Sequence, residues 1–457
     1  MTNQTLLTNG LKYSAVQQAY YSPVAQVQGS KLTSMYCFLS RVDPWDDDNS
    51  PPIPTQDPKS LKLIMKSMFV AKHITANEIS PVILRKDWTS TTIYDYYRDD
   101  IDINVLDQNS LPVYTYYVKN KYDQVFKCLW NNNGGLSTNE PYFEPGSYNT
   151  NNIFTGSDGY KWKYIYTIDT ASKFNFMDST WMPIPVSDYS ANPTLFSAGY
   201  GNIDVINVMS AGSGYDQANS VINVTITGDG TGASGIAVVS DGSIASITVT
   251  STGSNYTYAN VSITSTQGQG ATAIAPISPI GGHGSDPLSE LGCSHIMITS
   301  TFNGSEQDSS GIDMIPTNID YHQLGLLINP TSVDNQPEIA DKEIYKTTTD
   351  LILAAGFGVF SPDETIYQGT SLSSATFVGT VLSFDSASNI LKLINTTGYL
   401  TTNAPIFGVS STTVRTLLSY SSPDFIALSG YIGYIENRSS IQRSSDGIEQ
   451  FKIVLGY

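Results

Sequence analysis

The sequence repeats itself within residues 201–280, and this repeat limits the possible folds more than any other feature. Gly212-Ser213-Gly214-Tyr215 returns as Gly253-Ser254-Asn255-Tyr256, and residues 203–210 (IDVINVMS) return as 244–251 (IASITVTS) at the same 41-residue offset. Val224-Thr225-Ile226-Thr227 recurs as Val261-Ser262-Ile263-Thr264 after a four-residue shortening. Both copies are small, polar and β-branched, a composition that suits strands. One copy cannot bury its own apolar face, so two copies are expected to pack into one all-β module over residues 201–285.

Strand signals dominate the rest of the chain. Residues 160–168 (YKWKYIYTI) alternate with period two, with Tyr160, Trp162, Tyr164, Tyr166 and Ile168 on one face. Residues 34–41, 112–118, 124–130, 296–302, 324–328 and 450–455 also read as strands, and residues 82–111 as turn-like and acidic. A helix is expected over residues 5–21, ending near Pro23 and Gly29. Asp57 as N-cap, Pro58 at the first position and apolar Leu61, Ile64, Met65, Met68 and Phe69 predict a second helix reaching about His73. Thr365-Ile366-Tyr367-Gln368-Gly369 and Pro405-Ile406-Phe407-Gly408 each precede Ser/Thr-rich turns, which suggests a small β-barrel-like module over residues 355–420. The expected fold is mainly β with a few short helices: a framework (residues 1–200, 286–354 and 421–457) interrupted by all-β modules at 201–285 and 355–420.

A net charge of −18 argues against a nucleic-acid groove and against attraction to anionic lipid, so the expected partners are proteins or neutral ligands. The first ten residues carry no secretory pattern, and no apolar run is long enough to span a membrane. Cys37, Cys128 and Cys293 are far apart and form no CxxC, which supports neither a disulfide framework nor a zinc ribbon.

Chemical motifs are weak. Gly230-Thr231-Gly232-Ala233-Ser234-Gly235 spells a dinucleotide fingerprint, but β-branched residues follow where a helix is required, so a turn is expected. Cys293 and His295 share a strand face near Gly-flanked His283, which is too few ligands for a metal site. Asp46-Asp47-Asp48-Asn49 lacks the Gly and distal Glu of a calcium loop. Asp99, Asp100 and Glu436 could be imagined as glycosidase carboxylates, with surface charge as the simpler role. No enzyme activity, cofactor or metal is expected.

Two turns set a large aromatic beside charge, the composition of interface hot spots: Asp43-Pro44-Trp45, and Arg85-Lys86-Asp87-Trp88. A Trp at a strand end also serves as a core plug. Arg438, after Glu436 and Asn437, could reach a partner in bidentate fashion or close an internal salt bridge. The candidate interface residues are therefore Asp43, Trp45, Arg85, Asp87, Trp88, Glu436, Asn437 and Arg438.

Taken in order, residues 35–45 (MYCFLSRVDPW) with the prolines up to Pro54, 83–88 (ILRKDW), 125–129 (VFKCL), 158–168 (DGYKWKYIYTI), 321–330 (YHQLGLLINP) and 434–438 (YIENR) resemble one family. That family is the baseplate wedge protein of contractile-tailed phages, gene product eight of T-even-like phages. The resemblance covers about residues 10–200, 286–335 and 425–457, leaving the two modules outside it. It implies a layered β-sandwich framework with a few short helices, in a virion structural subunit of the tail baseplate made in the host cytoplasm. It further implies a homodimer that contacts the products of genes six, seven and ten, with no catalytic residues. The Tyr- and Asn-rich repeats suggest an alternative, a tail-associated carbohydrate- or receptor-binding module.

Overall fold

The computed structural model of the protein describes residues 8–22, 26, 27, 30, 31, 33–108, 112–147, 152–186, 201–304, 315–334 and 339–457. It is mainly β, with several sheets and a few short helices. Among the described residues no helix is long and apolar enough to cross a membrane. The chain divides into two compact units. One takes residues up to 20, 80–297 and 454–457; the other takes 21–79 and 298–453.

In the first unit, the strands Tyr117–Lys119, Gln124–Trp130, Lys161–Thr167 and Ile153–Thr155 form an antiparallel sheet in that order. The alternation of residues 160–168 is realised at its start: Tyr160 and Trp162 are fully buried and stack at 5.5 Å. They sit in a cluster with Tyr94, Val118, Phe126 and Cys128. The strand expected over residues 112–118 shortens to Tyr117–Lys119, since Pro112 offers no N–H to a ladder. A strand at Ile79–Leu84 replaces the turn-like start expected at residue 82, pairing with Trp181–Pro183. Pro81 masks it in the sequence, yet its carbonyl still accepts from Ile184 N at 3.0 Å.

The repeat forms an intertwined module within this unit. Asn207–Ser213, which opens the first copy, pairs with Gln269–Ile274, which closes the second. Thr231–Ser240, at the end of the first copy, pairs with Ser243–Ser254, where the second begins. The middle strands Ile222–Gly228 and Ala259–Ser265 pair with each other, Thr225 opposite Ser262. Even the irregularity repeats, because the register slips between Val208 and Ser210 and again where Ser234 faces Ser251 and Gly235 faces Val249. Tyr215 and Tyr256 are buried in the shared core, and their hydroxyls accept from Ala271 N and Ala233 N at 3.2 and 3.3 Å. Gly212 and Gly253 both have φ of +62°, and a Cβ there would lie 2.5 Å from Ala271 N and Ala233 N respectively.

In the second unit, a five-stranded sheet runs Ile344–Lys346, Met68–His73, Met35–Ser40, Ile319–Ile328, Tyr431–Arg443. The helix Pro58–Ser67 starts as expected, with Asp57 accepting from Lys59 N and Ser60 N, but it stops at Ser67 instead of reaching His73. Met68–His73 instead becomes a wholly buried strand paired with Met35–Ser40, because central-sheet pairing outweighs helical spacing. A closed barrel follows in the order Thr349–Leu353, Ile390–Gly398, Phe377–Asp385, Thr365–Gln368, Pro405–Gly408, Val414–Ser421. It begins at Thr349, ahead of residue 355, since Thr349–Leu353 is needed to close the ring between Ile390–Gly398 and Val414–Ser421. Leu351, Leu353, Ile366, Val381, Leu391 and Ile406 fill its interior. The N-terminal helix is Asn9–Tyr21; Thr5 and its expected stop signals Pro23 and Gly29 lie outside the described residues.

Candidate functional site

Between the strand Met35–Ser40 and the helix Pro58–Ser67, the chain crosses a loop stiffened by Pro51, Pro52 and Pro54, whose rings fix φ. Three hydrogen bonds tie this loop to the strand Tyr431–Arg443. Trp45 Nε1 donates to Arg438 O at 2.7 Å, Asn437 Nδ2 donates to Pro52 O at 2.8 Å, and Ser440 N donates to the Asp48 carboxylate at 2.9 Å. Trp45 also meets His322 edge-on at 6.1 Å. At the loop's start, buried Arg41 lies 2.5 Å from Asp320 and binds Asp363 through two hydrogen bonds, at 2.7 and 2.6 Å.

The result is a cleft of about 340 Å³, lined by Val42, Asp43, Trp45, Ile53, Leu63 and Asn437 among others. Its rim carries two large apolar side chains in the open, Ile53 at 89% and Leu63 at 51% exposure. Gln323 lines the cleft from the strand Ile319–Ile328, and its Nε2 donates to Asn437 Oδ1 at 2.6 Å. The orientation of both amides follows from Pro52. Its carbonyl can only accept, so Asn437 presents Nδ2 to it and Oδ1 to Gln323. Gln323 Oε1 is left buried and without a hydrogen-bond partner among the described residues.

Thus Asp43, Trp45 and Asn437, three of the expected interface residues, meet at one cleft. Glu436 and Arg438 pair with each other at 2.8 Å, and Tyr434 donates to Glu436 at 3.0 Å, so the internal salt bridge is the arrangement found. Arg85, Asp87 and Trp88 lie in the other unit and are held by its own groups. Arg85 bridges Asp87 at 2.8 Å and donates to Asp178 O, Lys119 lies 3.3 Å from Asp87, and Trp88 Nε1 donates to Ser137 Oγ at 3.0 Å. Partial burial works against the Asp87 carboxylate, but Arg85 and Lys119 outweigh it and hold the carboxyl below its usual range.

The possible chemical groupings disperse in the structure. Asp100 is neutralised by Arg98 at 2.6 Å. Residues 231–235 lie inside the strand Thr231–Ser240, so the expected turn is confined to Gly230 and no helix follows. The Cys293 thiol approaches the carbonyls of Val82 and His295, while His283 turns to Glu290. Among the described residues no group of three or more His, Cys, Asp or Glu side chains is arranged to hold a metal.

A buried charge cluster in the first unit escaped the sequence pattern. Glu290 Oε1 lies 3.1 Å from Lys127 Nζ and 2.6 Å from His283 Nδ1, while Oε2 accepts from Gly284 N. The Lys127 ammonium sits 3.9 Å from the centre of the Tyr97 ring, and Tyr97 meets His283 edge-on. Burial raises the Glu290 carboxyl, but Lys127, His283 and the Gly284 N–H outweigh it and bring it down to about 2. Burial, reinforced by Lys127, pushes His283 below its ordinary value and keeps it neutral. The only signal was a lysine in the middle of the apolar run 125–130 (VFKCLW).

Compared with known proteins, the sequence matches no family model and no curated protein.

Proposed function

We propose that the chain is a structural subunit of a contractile-tail baseplate wedge, acting through protein–protein contacts and not through catalysis. The observation that carries this proposal is the convergence of Asp43, Trp45 and Asn437 on one preformed cleft with Ile53 and Leu63 exposed beside it. An apolar anchor pocket with a polar rim is the usual build of an interface core. The ordered framework motifs supply the address: a homodimer in the virion tail, beside the products of genes six, seven and ten. Co-expression of the chain with those three proteins tests the proposal. Stable co-elution and a dimeric mass support it; a monomer that ignores all three overturns it.

The carbohydrate-binding alternative loses the two repeated tyrosines, since Tyr215 and Tyr256 are buried in the core of the repeat module, and of the segment's tyrosines Tyr258 alone is exposed.

A further inference from the structure

We infer that the Trp45 cleft receives a segment of another protein that inserts one bulky apolar side chain next to a lysine or arginine. The inference deepens the proposed function and rests on it only for the segment's role in assembly. Three independent features of the cleft define the occupant.

The first is apolar surface. Trp45, Val42, Ile53, Pro54, Leu63 and Ile64 form the walls, and Ile53 and Leu63 remain exposed at the rim. At about 340 Å³ the cleft is at the small end of ligand-pocket sizes, suited to an anchor side chain and not to a whole helix. The loop wall is preset by its prolines and by the bonds from Trp45, Asp48 and Asn437, so little conformational entropy is lost on filling it.

The second is the orphan acceptor. Gln323 Oε1 is buried, has no hydrogen-bond partner among the described residues and belongs to a side chain lining the cleft. An unmet buried acceptor is costly. The oxygen itself is shut off from solvent, so a backbone N–H of an inserted segment would satisfy it once the Gln323 amide turns toward the cleft, whereas a purely hydrocarbon ligand would leave it unmet.

The third is charge. Among the described residues Asp43 is the one charged residue in the cleft lining, it is exposed, and no cation lines the cleft with it. A segment with a cation flanking its anchor complements that carboxylate. A second copy of this chain is the poorer occupant of this cleft, because a chain with 41 acidic residues against 23 basic offers few cation-flanked segments to Asp43, so the proposed homodimer uses another face.

The test uses a random peptide library displayed on yeast, sorted against the purified full-length chain. Winning peptides are synthesised and titrated against the wild type and against Leu63→Asp, Ile53→Asp and Asp43→Asn. Leu63 and Ile53 project into solvent, so both aspartates leave the core intact, and matching melting curves verify this. The expected consensus is a bulky apolar residue beside Lys or Arg. Affinity should fall by about tenfold or more in either aspartate variant, as for a truncated hot spot. Affinity should fall less in Asp43→Asn, and methylating the anchor's backbone N–H should abolish binding. Selected peptides indifferent to Leu63→Asp and Ile53→Asp overturn the inference, as does an acidic consensus. So does a dimer in sedimentation that Leu63→Asp converts to monomer, since a second copy would then fill the cleft. Co-assembly with the wedge proteins that persists in Leu63→Asp sinks the cleft's role while leaving the proposed function standing. Peptide binding without any co-assembly does the reverse.

Discussion

Lys127 Nζ lies 3.1 Å from Glu290 Oε1 with both side chains almost wholly out of solvent, and this contact ties the strand Gln124–Trp130 to the short helix Pro287–Glu290 just after the repeat module. Removing one charge leaves the other buried and uncompensated, which is worse than removing both. Glu290→Gln should therefore destabilise the fold by about 3–5 kcal/mol in denaturant titration. Replacing both groups, with Lys127→Met and Glu290→Leu, should cost less than Glu290→Gln alone; a larger cost would show that the pair is a net stabiliser.

The same cluster sets a pH dependence. His283 titrates below its ordinary 6.5, so as pH drops through that value the unfolded chain takes up a proton that the folded chain refuses. Glu290, held at about 2 against an ordinary 4.5, repeats the effect lower down. In both cases the unfolded state binds more protons, so stability falls as pH falls. It should decline from about pH 6.5 and more steeply between about 4.5 and 2. His283→Gln should flatten the first stretch and shrink the second only in part, since Lys127 and the Gly284 N–H still hold Glu290 low, as read from melting temperatures across that range.

Gly212→Ala and Gly253→Ala should each destabilise the repeat module by about 2 kcal/mol or more, since each forces a side chain into positive φ and against the opposite strand. The pseudo-twofold pairing makes the two costs equal within error. Hydrogen exchange of the strands Asn207–Ser213 and Ser243–Ser254 would show it, and a strong asymmetry would contradict the equivalence of the copies.

Trp45→Phe keeps a ring in the cleft wall but loses the hydrogen bond to Arg438 O. The expected cost is about 1 kcal/mol. Limited proteolysis should then cut between residues 42 and 57 sooner than in the wild type.

Local chemistry was readable from the sequence wherever it decided the outcome. Asp57 and Pro58 start a helix in any context, and the alternation around Trp162 needs only a sheet with one buried face. What stayed hidden depended on distant partners. Met68–His73 carries helical spacing and becomes a strand because Met35–Ser40 lies beside it. Ile79–Leu84 contains a proline and still forms a strand because Trp181–Pro183 pairs with it. At the cleft, Asp43 and Trp45 stood out as an aromatic–charge turn, whereas Gln323 looked like an ordinary residue of a buried strand. Its importance comes from Pro52 and Asn437, each more than a hundred positions away in the sequence. Likeness between the repeat copies revealed that there were two, but similarity alone does not say which edges join.

Those edges carry a historical consequence. Because the opening strand of each copy is completed by the closing strand of the other, and the middle strands pair with each other, half of the module on its own would leave all three of its strands unpaired and would close only against a second molecule. The hairpin through Asp241 and Gly242 is the splice that makes such a pairing permanent. The module has the layout of a symmetric dimer carried on a single polypeptide, so gene duplication here would have converted a concentration-dependent association into a covalently guaranteed one.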